Sequence, residues 1–121
     1  MENIEKYKSS NPLQKQFIRN VDKSGLHIFT QIKRIGNICL YKRTRMNGDL
    51  IGYELFKTKI VKAKSNLPGG WNIKNDYEKY PVANDFGFSA KFIGGINAEA
   101  RAEEMFQNWV NNPKIKMANL K

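Results

Sequence analysis

Hydrophobic and polar positions change their period several times along the chain. Near the N-terminus Leu13, Phe17 and Val21 recur every four residues, with Lys15 and Arg19 between them and Asn11-Pro12 just ahead. A cap residue followed by proline is a common helix start, and Gly25 suits a helix end. The spacing therefore predicts a short N-terminal helix. From Leu26 to Lys64 the pattern turns to β-type runs: LHIFTQIKRI, ICLYKRTRM and DLIGYELFKTKIVKAK, joined at Gly36-Asn37 and Asn47-Gly48. Both dipeptides tolerate the positive φ of two-residue hairpin turns. Such turns would put Phe29, Gln31, Lys33, Leu40, Lys42 and Tyr53 on one face. Ile28, Arg34, Tyr41, Arg43, Leu50 and Glu54 would share the other. A bulge at Gly36 or Gly52 would exchange part of the two sets.

Residues 65–84 form a long connection rich in Gly, Pro, Asn and Asp, with Trp71, Tyr77 and Tyr80 as expected anchors. Alternation of Phe86, Phe88, Ala90 and Phe92 predicts a fourth strand over Phe86–Ile93, ended by Gly94-Gly95. Asn97 is placed to cap a helix whose Ala98, Ala102, Met105, Phe106 and Trp109 form an apolar stripe, closed by Pro113. The expected fold is α+β: an antiparallel sheet of about four strands, a C-terminal helix packed on one face, and the short N-terminal helix nearby. A chain of 121 residues makes one domain, with 1–11 and 113–121 expected to be loosely ordered.

Charge changes this picture most. The net charge is +10, and residues 26–64 carry nine Lys/Arg against two Asp/Glu. Seven of the ten excess charges thus fall in the strand meander, which points to a concentrated field. Lys33, Arg34, Lys42, Arg43 and Arg45 lie on consecutive strands with Tyr41 and Tyr53 among them, and Lys57, Lys59, Lys62 and Lys64 continue the series. Lysine and arginine arrays bind phosphates by releasing condensed counterions, and aromatic rings stack on unpaired bases. These residues are the candidate nucleic-acid-binding set. The same charges also serve as a solvated face, or as the docking site of an acidic protein.

Catalytic patterns are sparse. One histidine, His27, and one cysteine, Cys39, fall short of a zinc site of the usual kind, and Cys39 can form no intrachain disulfide. Asp85-Phe86-Gly87 copies a kinase triplet without that family's other motifs. Glu54 is read as a cross-strand partner for a neighbouring Lys or Arg, not as a metal ligand. The Phe-Gly-Phe at 86–88 matches part of an RNA-binding strand, yet Asn84 and Asp85 stand where a basic residue and glycine belong, so these rings are expected in the core. No enzyme, cofactor or metal is expected. MENIEKYKSS lacks the apolar stretch of a signal peptide and no run is long enough to span a membrane, so a cytoplasmic location is expected.

The succession of GNICLYKRT, YELFK, YPVANDFG and a closing Ala-rich helix resembles small bacteriophage-encoded proteins without assigned activity. The likeness covers roughly residues 26–110 and is most distinctive from Tyr80-Pro81 through Gly87. It implies a viral origin, a place in the host cytoplasm, and one of two trades: holding nucleic acid or blocking a host protein. The expectation is a small non-enzymatic binder of DNA or RNA with weak sequence preference. The alternatives are an inhibitor or adaptor acting on a host protein, or a minor virion component.

Overall fold

The computed structural model describes residues 4–21, 23, 25–73, 75–87 and 89–112. The predicted features at Phe88, at Pro113 and in the tail 113–121, and the side chain of Trp71, lie outside the described residues. The fold is α+β, built on a five-stranded antiparallel sheet. Its strands are β1 (Gln16–Asn20), β2 (Leu26–Ile35), β3 (Ile38–Arg45), β4 (Leu50–Lys57) and β9 (Ala90–Ile93), adjacent in that order. Two small ribbons interrupt the passage from β4 to β9. One pairs β5 (Lys59–Val61) with β8 (Tyr77–Lys79), and the other pairs β6 (Lys64–Leu67) with β7 (Trp71–Ile73). Helix α1 (Ala98–Asn111) follows β9 and packs on β3, β4 and β9.

The predicted N-terminal helix is an edge strand instead. Phe17 is fully buried opposite Phe29, the two rings stacked 5.0 Å apart. A repeat of four residues is close to one helical turn, but it is also twice the strand period, so Leu13, Phe17 and Val21 fit both. The long partner β2 decides, because pairing satisfies the backbone of both segments. Residues 5–7 then line the outer edge of β1, Tyr7 donating its N–H to Ile18 O and Ile18 donating to Glu5 O.

Two bulges set the faces of the sheet. Gln31 lies opposite Tyr41 while Lys33 lies opposite Leu40, so Ile32 is the extra residue. Phe29 and Gln31 therefore share a face with Tyr41 and Arg43, not with Lys33 as the unbroken register predicts. On β4, Arg43 faces Gly52 and Thr44 faces Leu50, leaving Ile51 as the second bulge beside the glycine suspected of one. Gly36-Asn37 makes the expected two-residue turn between Ile35 and Ile38, with Gly36 at φ 59°. The second turn is longer: Gly48 sits at φ 96° and Arg45 donates its N–H to Asp49 O, a three-residue loop.

The predicted strand Phe86–Ile93 shortens to Ala90–Ile93. Ala83–Asp85 forms a single 3₁₀ turn and Gly87 takes φ 94°, so the chain folds back before entering the sheet. Asn97 holds the cap position of α1 but with left-handed φ of 57° and no side-chain cap bond. The helix buries Ala98, Ala102, Phe106 and Trp109 against Ile38, Leu40, Tyr53, Leu55 and Ile93. On the opposite face a second core gathers Leu13, Phe17, Phe29, Tyr41, Phe56 and Tyr80. Its cover is irregular chain, from the N-terminal segment and from the residues around Tyr80.

Candidate functional site

The strand period divides the expected cationic set between the two faces. Lys33 and Lys42 fall on the helix side. Lys33 lies 2.5 Å from the Glu103 carboxylate, with its ammonium 6.0 Å from the Phe106 ring centre. Lys42 is half-buried between Thr30 and Tyr53. Tyr53 is itself buried, its phenol raised by burial and by the carboxylates of Glu99 and Glu103. It presents no open ring to a base.

Arg34, Tyr41 and Arg43 fall on the other side and are drawn inward. Arg34 forks onto both oxygens of buried Glu78 at 2.5 Å each and donates its Nε–H to Gly36 O at 2.9 Å. Glu78 also accepts from the Leu13 N–H at 2.9 Å and the Thr58 hydroxyl at 3.2 Å. The Arg34 hydrogen bond holds its carboxyl below the usual carboxylate range, against the opposing effect of burial. Tyr41 has no exposed surface; its hydroxyl donates to Gln14 O, and burial pushes it up to about 12. The neighbouring Cys39 thiol is likewise buried and pushed up to about 11, away from nucleophilic use. Arg45 remains exposed at the hairpin end, Lys57 is half-buried at the end of β4, and Lys59 is exposed on β5. The single outward patch predicted from the meander is thus not assembled. Two of its three arginines are counter-ions to buried acids.

Arg43 belongs to a pocket of ≈550 Å³ lined by residues of all five strands of the sheet and by residues between 80 and 86. Its guanidinium lies 5.2 Å from the Phe29 ring centre, donating Nε–H to His27 Nδ1 at 2.9 Å and Nη1–H to Glu54 Oε2 at 3.1 Å. The other oxygen of Glu54 accepts the Tyr80 hydroxyl at 2.6 Å. That phenol is raised well above its ordinary value by burial and by the adjoining carboxylate, so it stays a donor. Arg19, Phe86 and Phe92 complete the rim. Reading Glu54 as a partner for a nearby cation foresees this ion pair, and Tyr80 is the expected anchor, 3 % exposed. Glu78 carries no such signal: its partner Arg34 is 44 residues away in sequence.

The second concentration of chemistry is the β5–β8 ribbon. Lys59 and Lys79, both exposed, stand directly opposite one another, and half-buried Tyr77 lies opposite Val61 beside them. Lys62 reaches Asp76 at 3.3 Å, and Asp76 also takes the Ala63 N–H at 2.7 Å. Lys64 is exposed at the start of β6. Among the described residues no three His, Cys, Asp or Glu side chains come together as a metal site, and no helix is long and apolar enough to cross a membrane. Comparison with protein-family models, with curated proteins and with solved structures finds no match to this chain, so the resemblance to phage-encoded proteins rests on the sequence alone.

Proposed function

We propose that the protein binds nucleic acid without catalysis, holding phosphates on the β5–β8 ribbon in place of the meander face. Lys59 and Lys79 carry the contact, Lys64 extends it, and Tyr77 offers a ring to an unpaired base. The observation that supports this reading is the lysine pair itself. Like charges directly opposite on antiparallel strands repel, and a phosphate between them reverses the sign of that interaction. The net charge of +10 adds long-range attraction for a polyanion.

The test is a Lys59→Glu, Lys79→Glu double variant titrated with single-stranded and duplex oligonucleotides over a range of salt. Loss of two phosphate contacts should weaken binding to every sequence and flatten the slope of log K against log salt by about two. Unchanged affinity at low salt overturns the ribbon model. A protein partner retained at high salt, with no affinity for bare oligonucleotides, would favour the docking alternative.

A further inference from the structure

We propose that the Arg43–Glu54 pocket receives one unstacked base, guanine foremost, from the bound strand. The inference rests on the nucleic-acid reading and assigns to it a specificity element that the lysine ribbon lacks. Phosphate contacts position a strand and do not read it; base edges do.

Three features carry the assignment. The first is space: ≈550 Å³ falls within the usual range of ligand pockets, about 300–1,000 Å³, and accommodates one base with its sugar.

The second is a prepared stacking surface. Phe92 is 44 % exposed at the rim although it sits on a sheet strand directly opposite buried Glu54. Its ring tip occupies the room left by two glycines. A Cβ at Gly52 would stand 2.5 Å from Phe92 Cζ, and one at Gly94 would stand 2.8 Å from Cε2. Any larger residue at either position would displace the ring. Phe92 is therefore held from beneath while part of it faces solvent, with Phe86 across the pocket. Aromatic rings held in this way are the usual platform for an unpaired base.

The third is a matched edge at the floor. Among the described bonds Glu54 accepts one from Tyr80 and one from Arg43, and a carboxylate has about four acceptor sites, so these bonds occupy half of them. Arg43 uses Nε and Nη1 in its described bonds, while Nη2 makes none of them. A donor thus lies beside a buried acceptor at the pocket floor. Guanine presents the complementary edge, one carbonyl acceptor next to two N–H donors. Adenine and cytosine offer fewer donors to the carboxylate, and uracil sets two acceptors around a single donor. Arg19 appears in none of the described ion pairs with an acid; it lies 5.4 Å from the Tyr7 ring centre at the rim, where a phosphate would enter.

The experiment titrates the full chain with GMP, AMP, CMP and UMP, followed by calorimetry and by amide chemical shifts. GMP should bind about tenfold or more tightly than UMP, with shifts at Glu54, Tyr80 and Phe92. Phe92→Ala, on a half-exposed ring, should fold and lose most of the GMP affinity; Glu54→Gln should narrow the preference for guanine. Equal binding of all four nucleotides, no binding at millimolar GMP, or indifference to Phe92→Ala overturns the proposal. The ribbon variant separates the two readings. It should lose oligonucleotides and keep GMP. Oligonucleotide binding without GMP binding removes the pocket and leaves the ribbon; GMP binding without oligonucleotide binding removes the ribbon and leaves a mononucleotide receptor.

Discussion

The two faces of the sheet are both covered, but by different means. On the helix side the contact is hydrocarbon and aromatic ring: Ala102, Phe106 and Trp109 against Leu40, Leu55 and Ile93. On the other side the core contains two carboxylates, Glu54 and Glu78, each 3 % exposed and each bonded to an arginine. The difference follows from what lies on top. A helix satisfies its own amides, so its buried face can be wholly apolar. Irregular chain brings unpaired backbone groups with it, and these need partners when buried. Glu78 receives the Leu13 N–H, Tyr41 donates to Gln14 O, and the Glu78 amide donates to Ser10 O. The acids that serve as acceptors then need cations, and the meander supplies Arg34 and Arg43.

Single truncations on the two faces should cost similar amounts and differ in how they are repaired. Trp109→Ala should destabilise by about 3–5 kcal/mol through lost burial and the cavity left behind. Glu78→Ala should cost a comparable amount, about 3–5 kcal/mol, because Arg34 and the Leu13 amide lose their partner. The contrast appears on adding a second change. Arg34→Met with Glu78→Leu should recover the part of the loss that lies in stranding one charge, and leave the part due to the Leu13 amide and the Thr58 hydroxyl, which still lack their acceptor. Denaturant midpoints of the three variants check this, and a double variant no better than Glu78→Ala would show that the pair itself holds the cover down.

The faces should also separate with pH. Arg34 lowers the folded-state value of Glu78 below 4.5, its ordinary value. The stability it contributes is therefore complete above that pH and is lost as pH falls through the folded-state value. Urea midpoints at neutral pH and near pH ~3 should show a larger acid loss for the wild type than for Glu78→Gln. Trp109→Ala should keep the wild-type slope. An acid loss unchanged in Glu78→Gln would place the sensitive carboxylate elsewhere.

How much of this could be read from the sequence follows the same division. The C-terminal helix and the three long strands were legible because a period of 3.6 or 2 survives in the residues themselves. Ala102, Phe106 and Trp109 could be named as its buried stripe. The bulge at Ile32 leaves no such mark, since an extra residue in a strand changes the facing of its neighbours without changing composition. That one residue moves Phe29 and Gln31 to the other face. The ribbons were hidden for another reason: β5 and β8 are three residues each and are joined by pairing across a gap that local pattern does not bridge. Arg34 looked free because Glu78 is remote in sequence, while Arg43 had Glu54 on the adjoining strand. Counting charge along the chain therefore overstated what reaches the surface of the meander, and it undervalued Lys59 and Lys79, whose juxtaposition exists only once the ribbon has formed.

The smallest effect sharpens the comparison most, because it holds distance constant. Lys33 and Glu103 approach to 2.5 Å, the same separation as Arg34 and Glu78. Their side chains are 42 % and 34 % exposed, against 23 % and 4 % for the loop-side pair. Water around the first pair screens the attraction and solvates either partner once the other is removed, so its coupling energy in a double-mutant cycle should stay below ~1 kcal/mol. It should vanish in ~1 M salt, where the screening length is about 3 Å. The Arg34–Glu78 coupling should persist there, since salt does not enter a buried, doubly hydrogen-bonded contact to the same degree. Equal couplings, or equal salt responses, would mean that burial is not what separates the two faces. The polar core beneath the loops would then be an accident of composition, not a consequence of irregular chain needing partners.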